Sequence, residues 1–283
     1  MGAKQDGELR WVEDFLAEHL SSPDRGNFVD AAVALRPELS SMRMYDRALV
    51  GVADAADACF EACREEGVVG RHFIPPAAWL PEAASVISVF LTFTEQVSES
   101  NAELPGWPSD EWLHARIEGQ KYIDGLMNAL KEELERRGYP SAVPSSDPRF
   151  ASVAMSHADA RLSGRSFTSV WSERHVAYAC GLGTFGLAKG IITELGAAGR
   201  LGSVVTTLSL TPTPRRYTGV YDYCTMCGVC AVRCPAEAID PVTGKDHAKC
   251  SAFLGRTLER YRPRYGCGKC QVSVPCQNGV PAP

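Results

Sequence analysis

The sequence predicts an α/β (α+β) fold over residues 1–214, followed by a small cysteine-rich module over residues 215–283. Three observations carry this. Two apolar runs rich in β-branched and aromatic residues, at 85–93 and 202–210, read as buried strands. Between them, residues 109–138 place Ile117, Ile123, Leu126, Met127, Leu130 and Leu134 at helical spacing, a core stripe. Eight of the eleven cysteines then fall in the last 60 residues.

Taken in order, residues 8–20 and 52–66 read as helices, the second because it is rich in Ala. Cys59 and Cys63 are four apart there and share a face, as small buried residues rather than ligands. Pro81 marks the boundary before the first strand. Ser109-Asp-Glu opens the long helix. Pro140, Pro144 and Pro148 make the following stretch a loop. Residues 173–180 read as a short helix, and Thr211-Pro-Thr-Pro214 as a linker.

Composition suits a globular protein: 45% of residues are hydrophobic and 22% charged. No apolar stretch approaches a membrane span, and the N-terminus has no export-type apolar run. No twin-Arg leader is present, since Arg136-Arg137 lies inside a helix. Reduced thiols and a cytoplasmic location are therefore expected. A net charge of −5 argues against a broad nucleic-acid surface. From Tyr221 onward, eight Lys/Arg stand against five Asp/Glu. That surplus offsets cluster charge, greets an acidic electron donor, or is a solvated face.

The cysteines define chemistry. Cys224-Thr-Met-Cys227-Gly-Val-Cys230-Ala-Val-Arg-Cys234-Pro235 is the C-x₂-C-x₂-C-x₃-C-P run of bacterial ferredoxins. Cys250, Cys267-Gly-Lys-Cys270 and Cys276 follow. Each iron of a cubane takes one thiolate, and the fourth Cys of such a run ligates the other cluster. Cys224, Cys227, Cys230 and Cys276 are thus expected on cluster one. Cys234, Cys250, Cys267 and Cys270 are expected on cluster two. Exchanging Cys276 with Cys250 is the alternative. Four cysteines within eleven residues crowd a tetrahedral zinc site, and disulfides need an oxidising compartment. Pro235 should begin a turn or helix. Such a module has little apolar core, so metal loss should unfold it.

Gly181-Leu-Gly-Thr-Phe-Gly186 has the G-x-G-x-x-G pattern, but no strand precedes it and no acidic residue follows at the required distance. A dinucleotide site is rejected. The glycines serve either a structural turn or close approach to a flat ligand.

Trp171 to Gly186, the ferredoxin run and Arg264-Tyr-Gly-Cys267-Gly-Lys-Cys270-Gln together resemble the epoxyqueuosine reductase and reductive dehalogenase superfamily. Pro75 to Ile87 resembles that family's approach to a central strand. The similarity spans roughly residues 45–279. It implies a nitroreductase-like α/β sandwich that binds cobalamin, joined to a ferredoxin-like module with two [4Fe–4S] clusters. Gly181, Leu182, Gly183 and Gly186 become candidate cofactor contacts. Electrons would arrive at cluster one from a ferredoxin or flavodoxin, pass to cluster two and reduce cobalt, which then acts on a small-molecule substrate. Three departures are visible. Phe167 stands where the family has an Asp proton donor. Five residues, not three, separate Cys270 from Cys276. Seven residues follow Cys276, so no added RNA-binding domain is expected, and tRNA is a weak candidate. Glu173 and His175, beside the glycine segment, are the remaining candidate acid–base residues. An electron-transfer or corrinoid-activating protein without substrate chemistry, and a flavin (FMN) reductase, are the alternatives.

Overall fold

An antiparallel sheet sandwiched between helices positions everything else in the computed structural model, which describes residues 2–153, 159–165 and 167–282. In chain order the helices and strands are α1 (Gly2–Ser21), β1 (Tyr45–Asp54), α2 (Ala58–Ala62), α3 (Pro76–Trp79), β2 (Ser85–Phe93), α4 (Glu95–Glu103) and α5 (Asp110–Arg136). Then come β3 (Ser141–Ala142), α6 (Glu173–Ala179), β4 (Gly183–Phe185), β5 (Ile191–Thr193) and β6 (Gly199–Thr206). The C-terminal part holds α7 (Val229–Val232), β7 (Ile239–Asp240), β8 (Gly244–Lys245) and α8 (His247–Tyr261).

The main sheet has the order β1-β2-β6-β3, with every pair antiparallel. β2 is central and buried at every position, as its uncharged, β-branched sequence requires. Its alternate residues supply both faces. Ile87, Val89 and Leu91 pack with Val12, Leu16, Ile123 and Leu130 beneath α1 and α5. Val86 packs with Trp171, Val176 and Val205 beneath α6. α5 begins where Ser109 Oγ accepts from Trp112 N at 3.1 Å.

The antiparallel sheet makes α+β the apt member of the expected pair of descriptions. Two local expectations are corrected. Residues 52–66 are not one helix: Val50 and Val52 complete β1 opposite Val89 and Ile87, and only Ala58–Ala62 is helical, capped by Asp57. Cross-strand pairing outweighs the helix preference of Ala. The strand expected at 202–210 begins earlier, at Gly199, and ends at Thr206. The three-proline loop supplies the short edge strand β3.

The linker-like segment is pinned to β1, Thr213 N donating to Val52 O at 2.9 Å and Val52 N to Thr213 Oγ1 at 3.0 Å. Beyond it, the chain docks back on α4 and α5. Gly268 sits at φ +69 with Trp112 so close that a Cβ would lie 1.9 Å from the indole. Arg116 Nη2 donates to Tyr265 Oη at 2.7 Å, and Arg264 pairs with Glu118 at 2.9 Å. Val272 is fully buried in the same core as β2. Pro235 begins a turn.

Candidate metal centre

Residues 224–228 form an irregular loop that turns through positive φ at Met226 and Gly228 before α7. Cys224 and Cys227 lie in this loop, Cys230 lies in α7 and Cys234 follows it directly. The remaining ligand candidates come from α8 (Cys250) and from the docked segment after it. Burial pushes the Cys230 thiol up to about 12, and the charges it then feels are those of Cys270, Cys276, Cys224 and Cys227. Burial pushes Cys276 up to about 11, with Cys224, Cys227 and Cys270 as its thiol neighbours. Cys267 is raised to about 12 by burial, and its thiol neighbours are Cys270, Cys250 and Cys234. Burial also raises Cys270, which feels both Cys250 and Cys234.

Cys276 therefore keeps company with Cys224, Cys227 and Cys230, whereas Cys250 keeps company with Cys234, Cys267 and Cys270. Cys270 interacts electrostatically with members of both groups. Leu187, Ile239 and Val274 pack among these thiols and limit solvent. Among the described residues, no three His, Cys, Asp or Glu side chains converge as around a single ion. A cubane spreads its thiolates more widely, because each binds a different iron. Raised thiol pKa values mean that iron binding must release protons.

The segment 181–190 faces this module. Lys245 Nζ donates to Ala188 O at 3.1 Å, and Lys189 Nζ donates to Tyr221 Oη. Arg174 Nη1 donates to Lys189 O at 2.6 Å, and Cys250 is the charge that favours its protonated form. Phe167 stacks on His247 with ring centroids 4.3 Å apart, and Arg174 lies over the Phe167 ring. Burial, then Lys245, Arg174 and Lys189, lower His247 to about 4.

The glycine segment itself faces inward. A Cβ at Gly183 would lie 1.9 Å from the Ile192 carbonyl oxygen, because β4 and β5 pair there. A Cβ at Gly181 would meet Thr213 and one at Gly186 would meet Ile192. Leu182 is buried with Phe90 and Phe185. The open backbone of the segment is Gly190, where nothing lies within 4 Å of a Cβ.

Of the two acid–base candidates, Glu173 has both carboxyl oxygens sealed from solvent and without a hydrogen-bond partner, although its stem is partly exposed. Desolvation pushes it up to about 7, opposed by Ser203 and Trp171. His175 is lowered to about 4 by burial and by Arg174, so it is neutral at pH 7. Its Nδ1 is 2.8 Å from Ser172 Oγ, and its ring leans on Phe185. Cys63 is buried in the core, while Cys59 accepts from Arg215 at 3.0 Å.

Arg233, Lys269, Arg174 and Lys245 escaped sequence reasoning. Each stands within or beside a recognised motif, but no pattern in the chain announces its burial or its partner.

A mixed α/β layer carrying a cysteine-lined module is the architecture of iron–sulfur redox proteins. Residues 217–240 match the 4Fe-4S binding domain family. The catabolic reductive dehalogenase NpRdhA shares the fold at 15% identity, with a TM-score of 0.52, over 83% of this chain and 30% of that one. Epoxyqueuosine reductase from Streptococcus thermophilus aligns at 18% identity, with a TM-score of 0.47, over 83% of this chain and 64% of that one. The enzyme from Bacillus subtilis gives 19%, 0.47, 84% and 63%. No curated protein matches. The chain thus spans 64% of the first of the reductases and 30% of the dehalogenase. The superfamily resemblance read from the motifs holds at the level of the fold. No helix among the described residues is long and apolar enough to cross a membrane.

Proposed function

We propose that this protein is an iron–sulfur oxidoreductase that takes electrons through two [4Fe–4S] clusters into the α/β layer. The supporting observation is the sorting of eight thiols into two adjoining groups. Cys224, Cys227, Cys230 and Cys276 hold cluster one; Cys234, Cys250, Cys267 and Cys270 hold cluster two. Cluster one is the receiving end, because Cys227 is exposed and Met226 beside it is 43% exposed. A small electron carrier such as a ferredoxin or flavodoxin docks there. Cluster two is the delivering end, because Cys250 interacts electrostatically with Arg174, which donates to the Lys189 carbonyl in the segment 181–190.

The acceptor in this reading is a cobalamin-type cofactor serving a small organic substrate. This reading puts the group at the seam rather than at the glycines of 181–186. Gly181, Leu182, Gly183 and Gly186 are filled by the chain's own packing, whereas Gly190 is open and Arg174 and Lys189 flank it with cations. Gly190, Lys189, Arg174 and the Phe167–His247 stack would hold the cofactor. When bound, cobalamin supplies a strongly reducing metal centre for the substrate. His175 can only accept a proton at pH 7, whereas Glu173, raised to about 7 by burial, is poised between its two forms there. A second reading has the observation of Phe167 in its favour. With an aromatic ring stacked on His247 in place of a carboxyl donor, the protein would reduce a partner's corrinoid and perform no substrate chemistry.

Iron, sulfide and cobalt content after anaerobic purification with cobalamin supplied tests both levels. About eight iron per chain supports two Cys₄-held clusters; one cobalt supports the cofactor. Eight iron without cobalt leaves the electron-transfer or FMN reading. Cys276→Ser should remove the cluster-one signal and Cys250→Ser the cluster-two signal. The reverse pattern overturns the crossed assignment.

A further inference from the structure

Two cations flank the ligands assigned to cluster two, and both are driven into the α/β layer. Lys269 stands between Cys267 and Cys270 and is only 2% exposed. Its Nζ donates to the Asn101 carbonyl and, at 3.1 Å, to Asn101 Oδ1. Arg233 precedes Cys234, and its Nη2 donates to Ala102 O at 3.0 Å. Asn101 and Ala102 lie in the last turn of α4, where carbonyls are left without helical partners and the helix dipole is negative. Asn101 Nδ2 returns to the module, donating to Cys267 O at 3.0 Å.

The helix end accounts for only part of this arrangement. Among the described residues, neither cation forms an ion pair with a carboxylate. Arg233 Nε is buried and has no hydrogen-bond partner. A buried cation without a counter-ion is costly, and so is a buried donor without an acceptor. A cubane with four thiolates carries net negative charge and sulfur acceptors, and it would satisfy both.

We propose that Lys269 and Arg233 set the reduction potential of cluster two, Lys269 through its buried charge and Arg233 through its charge and its free Nε–H. This rests on the two-cluster reading above. Net charge and hydrogen bonds to the sulfurs are recognised determinants of cluster potential. Reduction adds an electron, so nearby cations favour the reduced state and raise the potential. Both are positioning residues: they act on the cluster, not on substrate. Anchored on one helix end, they also tie cluster two to the α/β layer that receives its electrons.

The test is a potentiometric titration followed by electron paramagnetic resonance on the full-length, iron-replete protein. Lys269→Met should lower the equilibrium constant for reducing one cluster at least tenfold, about 59 mV for one electron, and leave the other cluster unmoved. Lys269→Arg should restore it. Arg233→Met should lower the same midpoint, and Arg233→Lys should recover part of it, since charge returns without Nε. Unmoved midpoints in Lys269→Met and Arg233→Met, each with full iron, overturn the proposal and leave a docking role alone. If Lys269→Met does not fold, the Arg233 pair decides. Iron well below eight in the unaltered protein would instead sink the two-cluster reading.

Discussion

Glu173 shows how one buried side chain can carry a pH dependence. Its carboxyl is sealed beside Ser203 and Trp171, and burial raises it to about 7. The unfolded chain ionises near the ordinary glutamate value of about 4.3. Between these values the unfolded state gains by losing a proton and the folded state does not. Stability from this group is therefore full below about pH 4.3 and falls as the pH rises toward 7. The loss is on the order of 3 kcal/mol. Denaturant midpoints of Glu173→Gln measured from pH 5 to 8 should lack the decline that the unaltered protein shows. Parallel declines in both would place the titration elsewhere. The residue's place in a short helix beside the glycine segment was legible in sequence. The direction of its carboxyl was not, because that depends on β6 lying beneath α6.

Among the elements, the docked segment 264–277 departs most from expectation. A ferredoxin-type module with little apolar core was expected to unfold with its metal. Here Trp112, Glu118 and Asn101 grip that segment, and Val272 joins the main core. Removing iron should thus loosen the loop at 224–234 before it frees the docked segment. The close contact at Gly268 offers a sharper check. Gly268→Ala places a methyl against Trp112 and a non-glycine residue at φ +69, which together cost about 2–4 kcal/mol. Limited proteolysis should then cut within residues 215–283 while the sheet of β1, β2, β6 and β3 stays protected. Unchanged protection would mean that Trp112 moves aside. The helix α8, which carries Cys250, was missed from sequence. Phe253 and Thr257 are its buried residues.

Across the whole molecule, charge is unevenly placed. The chain carries −5 overall, yet the residues from Tyr221 onward carry a surplus of positive charge. If cluster one is the receiving end, an acidic carrier should reduce it quickly at low ionic strength. The rate should fall severalfold between 0.05 and 0.5 M salt, on the order expected for screened steering. A salt-independent rate would make the basic surplus a solvated face or local compensation for the clusters.

Sequence alone was enough for the eight ligand candidates and for β2, because both rest on local rules: ligand spacing along a few residues, and an uninterrupted apolar run. It also located α5 through its periodicity and its Ser109 start, and anticipated helix within α1 and at α6. Which distant thiol joins which group was assigned from the pattern of the ferredoxin run with the exchange of Cys276 and Cys250 left open, since both lie outside that run and their neighbours are set by packing. The same holds for the glycines at 181–186, whose pattern suits a ligand or a turn equally, and whose neighbours Thr213 and Ile192 appear only in the folded chain. Lys269 is the clearest case. A lysine between two cysteines looks solvated in a linear chain, and only the docking of its loop on the end of α4 buries it. Tertiary contact decides such matters because burial, and with it the cost of a charge or the value of a hydrogen bond, belongs to the surroundings rather than to the residue.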